Sequence, residues 1–98
     1  MAYLLKNVSV DTDGDPIDGD GSAYILKIWA TDFGGGSVNI ETLADDGITW
    51  ILESYGGNPA SFTTKTALYV HKIAHAEKIR ATLTDSSGAS NVNATIST

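Results

Sequence analysis

The chain has 98 residues, of which 42% are hydrophobic and 18% are charged, with no cysteine and a net charge of −6. This composition is too apolar for a disordered chain, and no apolar run approaches the roughly 20 residues that span a bilayer. The lack of cysteine excludes a disulfide framework, a Cys-based zinc site and a thiol nucleophile. The acidic charge argues against a nucleic-acid binder, whose affinity comes from Lys and Arg on phosphates. We expect one soluble domain over residues 1–98, without a signal peptide, made in a reducing cytosol.

Apolar and polar residues alternate along most of the chain, and turn signals recur at spacings of about 8–12 residues. No segment has the roughly 3.6-residue period of an amphipathic helix. The pattern therefore predicts an all-β fold, a single antiparallel β-sandwich of the jelly-roll or immunoglobulin-like type with roughly seven to eight strands.

The first predicted strand covers residues 3–10, with Val8 and Val10 on one face. It ends in an acidic segment, residues 11–21, which we expect to be an exposed loop because Asp and Gly favour turns. This segment contains five of the twelve acidic residues of the chain, namely Asp11, Asp13, Asp15, Asp18 and Asp20. The remaining seven acids face six bases, so nearly all the excess negative charge belongs to this segment.

Asp11, Asp13 and Asp15 have the alternate spacing of carboxylates that converge on a calcium ion. Pro16 and Ser22 stand where an EF-hand loop has its glycine and its bidentate Glu, and no helix is predicted on either side. Two interpretations remain, a calcium site formed by the three aspartates and a solvated turn without an ion. We predict no other cofactor.

The second predicted strand, residues 23–30, is almost wholly apolar, with Lys27 as its one charged residue. Such a strand is either covered on both faces or has an outer face that meets a partner. We therefore predict an interface at Ile25, Lys27 and Trp29. We add Arg80, the single arginine, because its guanidinium pairs with carboxylates across a strand or on a neighbouring subunit.

A strand over residues 37–43 follows a glycine-rich turn and alternates cleanly, with Val38 and Ile40 inward. The sequence Asp-Asp-Gly at residues 45–47 predicts a tight hairpin turn, after which residues 48–53 return as the partner strand.

The last part of the chain contains two further pairs of predicted strands. Residues 61–70 predict a short strand and then a longer one, and residues 78–84 and 91–97 predict a final hairpin across the turn DSSGAS. Between these pairs, His71 and His75 are four residues apart. If that segment were helical, both would lie on one face of the helix and could be metal ligands. The surrounding pattern is extended, so ordinary surface histidines are the favoured interpretation.

No motif places a nucleophile beside a base or two carboxylates across a cleft, so we expect no enzymatic activity. A sugar-binding face is a competing interpretation, and its members would be the aromatic residues Tyr24, Trp29, Trp50, Tyr55 and Tyr69. Against it, Trp50 follows a tight turn, where a large aromatic side chain would close one end of a small core.

Residues 45–50 read Asp-Asp-Gly-Ile-Thr-Trp and match D-x-G-x-T-W, the body of the Asp-box hairpin of sialidases and other β-proteins. Leu43 stands where that motif has serine, and the chain has one copy where repeated copies are usual. In the Asp box these residues stabilise the turn, so the resemblance implies a hairpin and no catalysis.

A wider resemblance is to small virion proteins of tailed bacteriophages. It consists of an F-G-G turn at residues 33–35, a V-x-I-E strand at 38–41, a D-G-x-T-W hairpin at 46–50 and an I-R-A-x-L-T strand at 79–84. These stretches span roughly residues 29–97 and leave out the acidic segment. Proteins of this group are capsid decoration (cement) proteins, neck components and tail or fibre adaptors.

The resemblance implies a non-catalytic structural protein of the virion, made in the cytoplasm of the host bacterium. Its partner would be the major capsid protein or another virion protein, and neither nucleic acid nor a membrane is expected. Our specific expectation is a capsid decoration protein that stabilises the head and assembles as a homotrimer, the trimer being implied by the resemblance. The alternatives are a carbohydrate- or receptor-binding module and a neck or tail-fibre adaptor.

Overall fold

A computed structural model describes residues 1–70, 73–74 and 77–98. These residues form twelve strands: β1 (Ala2–Val8), β2 (Thr12–Asp13), β3 (Ile17–Asp18), β4 (Tyr24–Trp29), β5 (Ser37–Leu43), β6 (Trp50–Leu52), β7 (Ser54–Tyr55), β8 (Asn58–Pro59), β9 (Ser61–Phe62), β10 (Thr66–Val70), β11 (Lys78–Thr84) and β12 (Val92–Ser97). Within the described ranges there is no helix of the length and hydropathy needed to cross a membrane.

The strands form two main sheets, and every pairing is antiparallel. The four-stranded sheet has the order β1-β12-β4-β10. In the six-stranded sheet, β11 pairs with β2 and β3 along one side and with β5 along the other, and β5 continues to β6 and β9. A separate two-stranded ladder joins β7 to β8. The fold is therefore all-β, as predicted, and is consistent with a β-sandwich.

The core consists of inward-facing side chains from both sheets. Burial alternates strictly along β4 and β5, because successive side chains of a strand point to opposite faces. This confirms the inward positions predicted for Val38 and Ile40. The largest fully buried side chains are Leu4, Leu26, Ile28, Ile40, Ile79, Leu83, Ile96, Val38 and Val92.

The predicted final hairpin is wrong. β11 pairs with β5, whereas β12 pairs with β1 and β4, so the two strands belong to different sheets. The turn between them carries the chain from one sheet to the other, and their apolar residues are buried in the same core. Alternation predicts which side chains are buried, but it does not distinguish a hydrogen-bonded neighbour from a strand in the opposite sheet.

The first strand departs from simple alternation. Leu4 and Leu5 are both buried, and the register with β12 shifts on each side of Leu5. Asn7 then has a left-handed φ of 50°. β1 ends at Val8, which still packs against the core, so Val10, predicted to share a face with Val8, lies outside the strand and is 70% exposed.

The acidic segment is not simply a loop. Its strands β2 and β3 hydrogen-bond to β11, with Asp13 opposite Thr82 and Asp18 opposite Lys78. Between them, the Gly14 amide donates to the Ala81 carbonyl at 2.8 Å. A Cβ at Gly14 would overlap the Leu4 carbonyl oxygen of β1. The segment therefore runs in backbone contact with both sheets and closes this side of the sandwich.

The predicted Asp-Gly hairpin is confirmed, with Leu43 opposite Trp50. The Asp46 carboxylate accepts hydrogen bonds from the amides of Ile48 and Thr49, at 2.8 and 2.9 Å, and from the Thr49 hydroxyl at 2.6 Å. These bonds, the one from the Thr49 hydroxyl foremost, hold the pKa of Asp46 below its ordinary value. The Asp-box resemblance thus has a local physical basis, which is a carboxylate that organises its own turn.

The close crossing at Gly14 leads to a stability prediction. We expect Gly14→Ala to lower the free energy of unfolding by about 2 kcal/mol or more, because the added methyl group meets backbone atoms that cannot move separately. Urea denaturation followed by tryptophan fluorescence measures the loss. The matched control is Asp15→Ala, whose side chain is exposed and whose effect should stay within about 0.5 kcal/mol. Equal stability of the two variants would contradict the close approach of Gly14 to the β1 backbone.

The Asp46 turn leads to a prediction about pH. Because the pKa of Asp46 is lower in the folded chain, its stabilisation is present above the ordinary value of 3.8 and is lost as the pH falls through the folded-state pKa. We therefore expect Asp46→Ala to lower Tm at neutral pH, with a difference from wild type that shrinks in strong acid. The matched control is Asp45→Ala, in the same turn, because the Asp45 carboxylate accepts no hydrogen bond from a described residue; its Tm should match that of wild type at neutral pH. A Tm difference between Asp46→Ala and wild type that stays constant with pH would contradict this account.

Candidate functional site

The outer side of the four-stranded sheet carries a cluster of exposed apolar and aromatic side chains. We call it the aromatic face and define it by Tyr3 of β1, Ile25, Lys27 and Trp29 of β4, and Tyr69 of β10. Ile25 and Trp29 are 39% and 37% exposed although their strand is central in the sheet. The outer side of this strand is therefore partly exposed among the described residues, and the predicted contact with a partner stays a prediction.

Backbone pairing places these residues side by side. Tyr69 lies opposite Ile25, and β12 joins Tyr3 to Lys27 through Thr95, which is opposite both. The Tyr3 and Trp29 ring centroids are 6.5 Å apart with a tilt of 55°. Such tilted contacts are favourable for aromatic rings. The two rings therefore form one apolar ridge across three strands.

Lysines lie within and beside the aromatic face. The Lys6 ammonium lies 5.2 Å from the Tyr3 ring centroid, Lys27 lies between Ile25 and Trp29, and Lys65 lines a shallow cleft beside Trp29. The four strands of this sheet contain no Asp or Glu. None of the three lysines forms an ion pair with a described residue. The face is thus positively charged on a chain whose net charge is −6.

A polar cleft adjoins Trp29 at the end of the sheet. It is lined by Asn7, Thr31, Lys65, Asn91 and Asn93 together with Trp29 and Ala30. Asn93 holds its edge together, since its side-chain oxygen accepts from the Asn7 amide and its side-chain nitrogen donates to the Asn91 carbonyl, both at 2.9 Å. The cleft combines an exposed indole with amide groups, a combination that suits a polar ligand with one apolar side.

The fourth predicted interface residue, Arg80, lies on the other sheet. Its Nε donates to Glu41 at 2.9 Å, Asp13 is 3.9 Å from its Nη1, and its guanidinium is 4.3 Å from the Trp50 ring centroid. Glu41 is the cross-strand acid that was one of the two predicted partners. Trp50 therefore does not close the core as predicted, because it lies half-exposed under the guanidinium.

The outer side of the six-stranded sheet is bonded within the chain. Asn39 donates to Thr84 at 2.9 Å and accepts from the Ser61 hydroxyl at 2.7 Å, and Arg80 pairs with Glu41. These bonds satisfy the polar side chains of that side internally. The two outer sides of the sandwich thus differ in their charged groups. The arginine of the six-stranded sheet is paired within the chain, beside the exposed apolar residues of β6, whereas the lysines of the aromatic face form no ion pair with a described residue.

The candidate calcium residues point to different partners. Asp11 accepts from the backbone amides of Asp85 and Ser86 and from the Ser86 hydroxyl, and these bonds lower its pKa. Asp13 faces Arg80, and Asp15 makes no hydrogen bond or ion pair with a described residue. In residues 1–70, 73–74 and 77–98 no three His, Asp or Glu side chains form a group that could hold a metal ion. His71 and His75 lie outside the described residues.

The five aromatic residues predicted for a sugar-binding face do not share one surface. Trp29 and Tyr69 lie on the aromatic face, Trp50 lies on the other sheet, and Tyr24 is buried with its hydroxyl on Asp20. Tyr55 lines a separate cavity of about 190 Å³ near Glu53, and burial, followed by the charge of Glu53, raises its pKa to about 12.

Sequence reasoning found the β4 part of the aromatic face and missed Tyr3, Lys6 and Lys65. The chain separates these residues from β4, and only pairing through β12 and β10 brings them together. The chain matches no family model, no curated protein and no solved structure.

Proposed function

We propose that this chain is a non-catalytic structural protein of a bacteriophage virion, a capsid decoration protein that oligomerises and stabilises the head, with the aromatic face as the surface through which it assembles. The observation that carries the proposal is the exposed Ile25-Lys27-Trp29 row on a central strand. Contiguous apolar patches on small domains are typical of interaction sites. The setting in a phage particle is supported by the sequence resemblance.

The composition of the aromatic face suits a protein interface. Aromatic side chains are enriched at interface centres, where they give much buried area for little lost conformational entropy, and polar residues form the rim. Here Trp29 and Tyr3 form the ridge, and Lys6, Lys27 and Lys65 are the polar groups around it. The rigid sheet beneath needs no rearrangement on binding, which favours affinity.

The size of the chain also favours docking. A domain of about 100 residues buries a smaller fraction of its surface than a large one and is correspondingly marginal. Binding that covers the aromatic face in the folded state alone would stabilise the domain by mass action. A structural protein gains both attachment and stability from one contact.

The test is addition of purified protein to capsids that lack it. We expect stoichiometric binding and a higher temperature of head disruption. The double variant Ile25→Ser plus Trp29→Ser should weaken binding by roughly a hundredfold or more, because central apolar side chains carry most of the energy of an interface.

The matched control is Ile51→Ser plus Leu52→Ser, since these residues are 52% and 42% exposed on the other sheet. Control and wild type should bind alike. Failure of the wild-type protein to bind capsid, neck or tail particles of its source phage would overturn the proposal. Binding to neck or tail alone would favour the adaptor over the decoration protein.

A second candidate, a carbohydrate- or receptor-binding module, is favoured by the polar cleft beside Trp29. Its amide side chains would bind sugar hydroxyls while the indole stacks on a sugar ring.

For this candidate we expect retention on a glycan array that Trp29→Ala abolishes and Trp50→Ala leaves unchanged. The physical reason is that only the first indole borders the cleft. Retention that survives Trp29→Ala would exclude the cleft, and absence of retention on every glycan would exclude the candidate function.

A further inference from the structure

The aromatic face and the acidic segment carry opposite charges on neighbouring sides of the sandwich. We propose that the aromatic face of one copy receives the acidic edge of a second copy, in a head-to-tail contact. The acidic edge is defined by Asp13, Asp15 and Asp18, on and between β2 and β3. The inference rests on the proposed function, because it takes the aromatic face as an assembly surface and names the partner that covers it.

The charges of the two surfaces are complementary. Lys6, Lys27 and Lys65 bring three positive charges to a sheet whose strands contain no acid. On the acidic edge, the side chains of Asp13 and Asp18 remain 72% and 63% exposed beside their own basic partners. Asp15 is exposed and pairs with no described residue. Each surface thus presents charge that its own chain leaves accessible.

The same charges argue against two aromatic faces meeting each other. A face-to-face dimer would bring the lysines of one copy against those of the other in a partly desolvated interface, and like charges there are costly. Contact with the acidic edge covers the apolar ridge and neutralises the lysines at the same time. Charge complementarity therefore selects the acidic edge as occupant.

The acidic edge would bind through side chains, not by strand addition. β2 and β3 are two-residue strands that already pair with β11, and charged residues on short edge strands prevent further pairing. A groove lined by Tyr3, Lys6, Asp13 and Asp15 shows that the edge and the aromatic face border each other. Because the two surfaces differ, the contact is heterologous, and its repetition forms a ring when the rotation between copies closes.

The experiment is sedimentation velocity of the full chain over a range of concentrations at low and at high ionic strength. We expect wild-type association that weakens with salt, since exposed charge pairs are screened. Lys27→Glu and Asp15→Lys should each weaken association, by roughly three- to thirtyfold in Kd. The double variant Lys27→Glu plus Asp15→Lys should recover most of the loss.

The control is Asp45→Lys, which makes the same change of charge as Asp15→Lys in the hairpin turn between β5 and β6. It should associate like wild type. A chain that is monomeric at every concentration, association that is insensitive to salt, or a double variant no better than the two single ones would overturn the inference.

Capsid binding separates this inference from the proposed function. A monomeric protein that still binds capsids through Ile25 and Trp29 would overturn the head-to-tail contact and leave the docking role in place. Salt-sensitive self-association without binding to any virion particle would overturn the virion role and leave the contact in place.

Discussion

The apolar layer between the two sheets determines which way the side chains of the central strands β4 and β5 point. Along β4, Tyr24, Leu26 and Ile28 point into the core, and the strand geometry therefore directs Ile25, Lys27 and Trp29 outward. A shift of one residue would bury Lys27 and expose Leu26 and Ile28, so the register is strongly specified. The aromatic face is consequently fixed by the same packing that stabilises the fold.

The acidic segment closes one side of this apolar layer. The acidic segment leaves the edge strand β1 and pairs with β11, so it connects the two sheets where the core would otherwise be open. Gly14 allows the close approach, because any side chain there would meet the β1 backbone. The segment that concentrates the negative charge is therefore held against the fold by backbone hydrogen bonds, and its aspartates have defined positions.

How far the sequence predicts this structure depends on whether the deciding contacts are local. The hydrogen bonds of the Asp46 hairpin join neighbouring residues, so the sequence predicts this turn correctly. The inward side of β5 follows from alternation. β4 is almost wholly apolar in sequence, and the residues predicted in it as an interface, Ile25, Lys27 and Trp29, lie on its outer side. The apolar and polar pattern of a strand predicts which of its side chains point inward, whichever strand it pairs with.

Most of the wrong predictions concern contacts between distant parts of the chain. The apolar patterns of β11 and β12 fit a hairpin as well as they fit two facing sheets, and only the pairing decides. The irregularity at Leu5 and Asn7 has no signal in a pattern of alternation. Trp50 was predicted to lie in the core because the position of Arg80, on a strand far along the chain, was unknown. Tyr3 and Lys6 were missed for the same reason.

The separation of charge also bears on the head-to-tail contact that we propose. An exposed ridge containing Trp29 and Tyr3 favours non-specific association, and net charge well away from zero opposes it. The negative charge lies on an edge that borders the aromatic face but outside the four strands of that sheet, and a net charge of one sign keeps the chains apart at long range. In the head-to-tail contact that we propose, the lysines and aspartates would favour the relative orientation that brings opposite charges together. The acidic segment, which serves the fold through its backbone, would then serve assembly through its side chains.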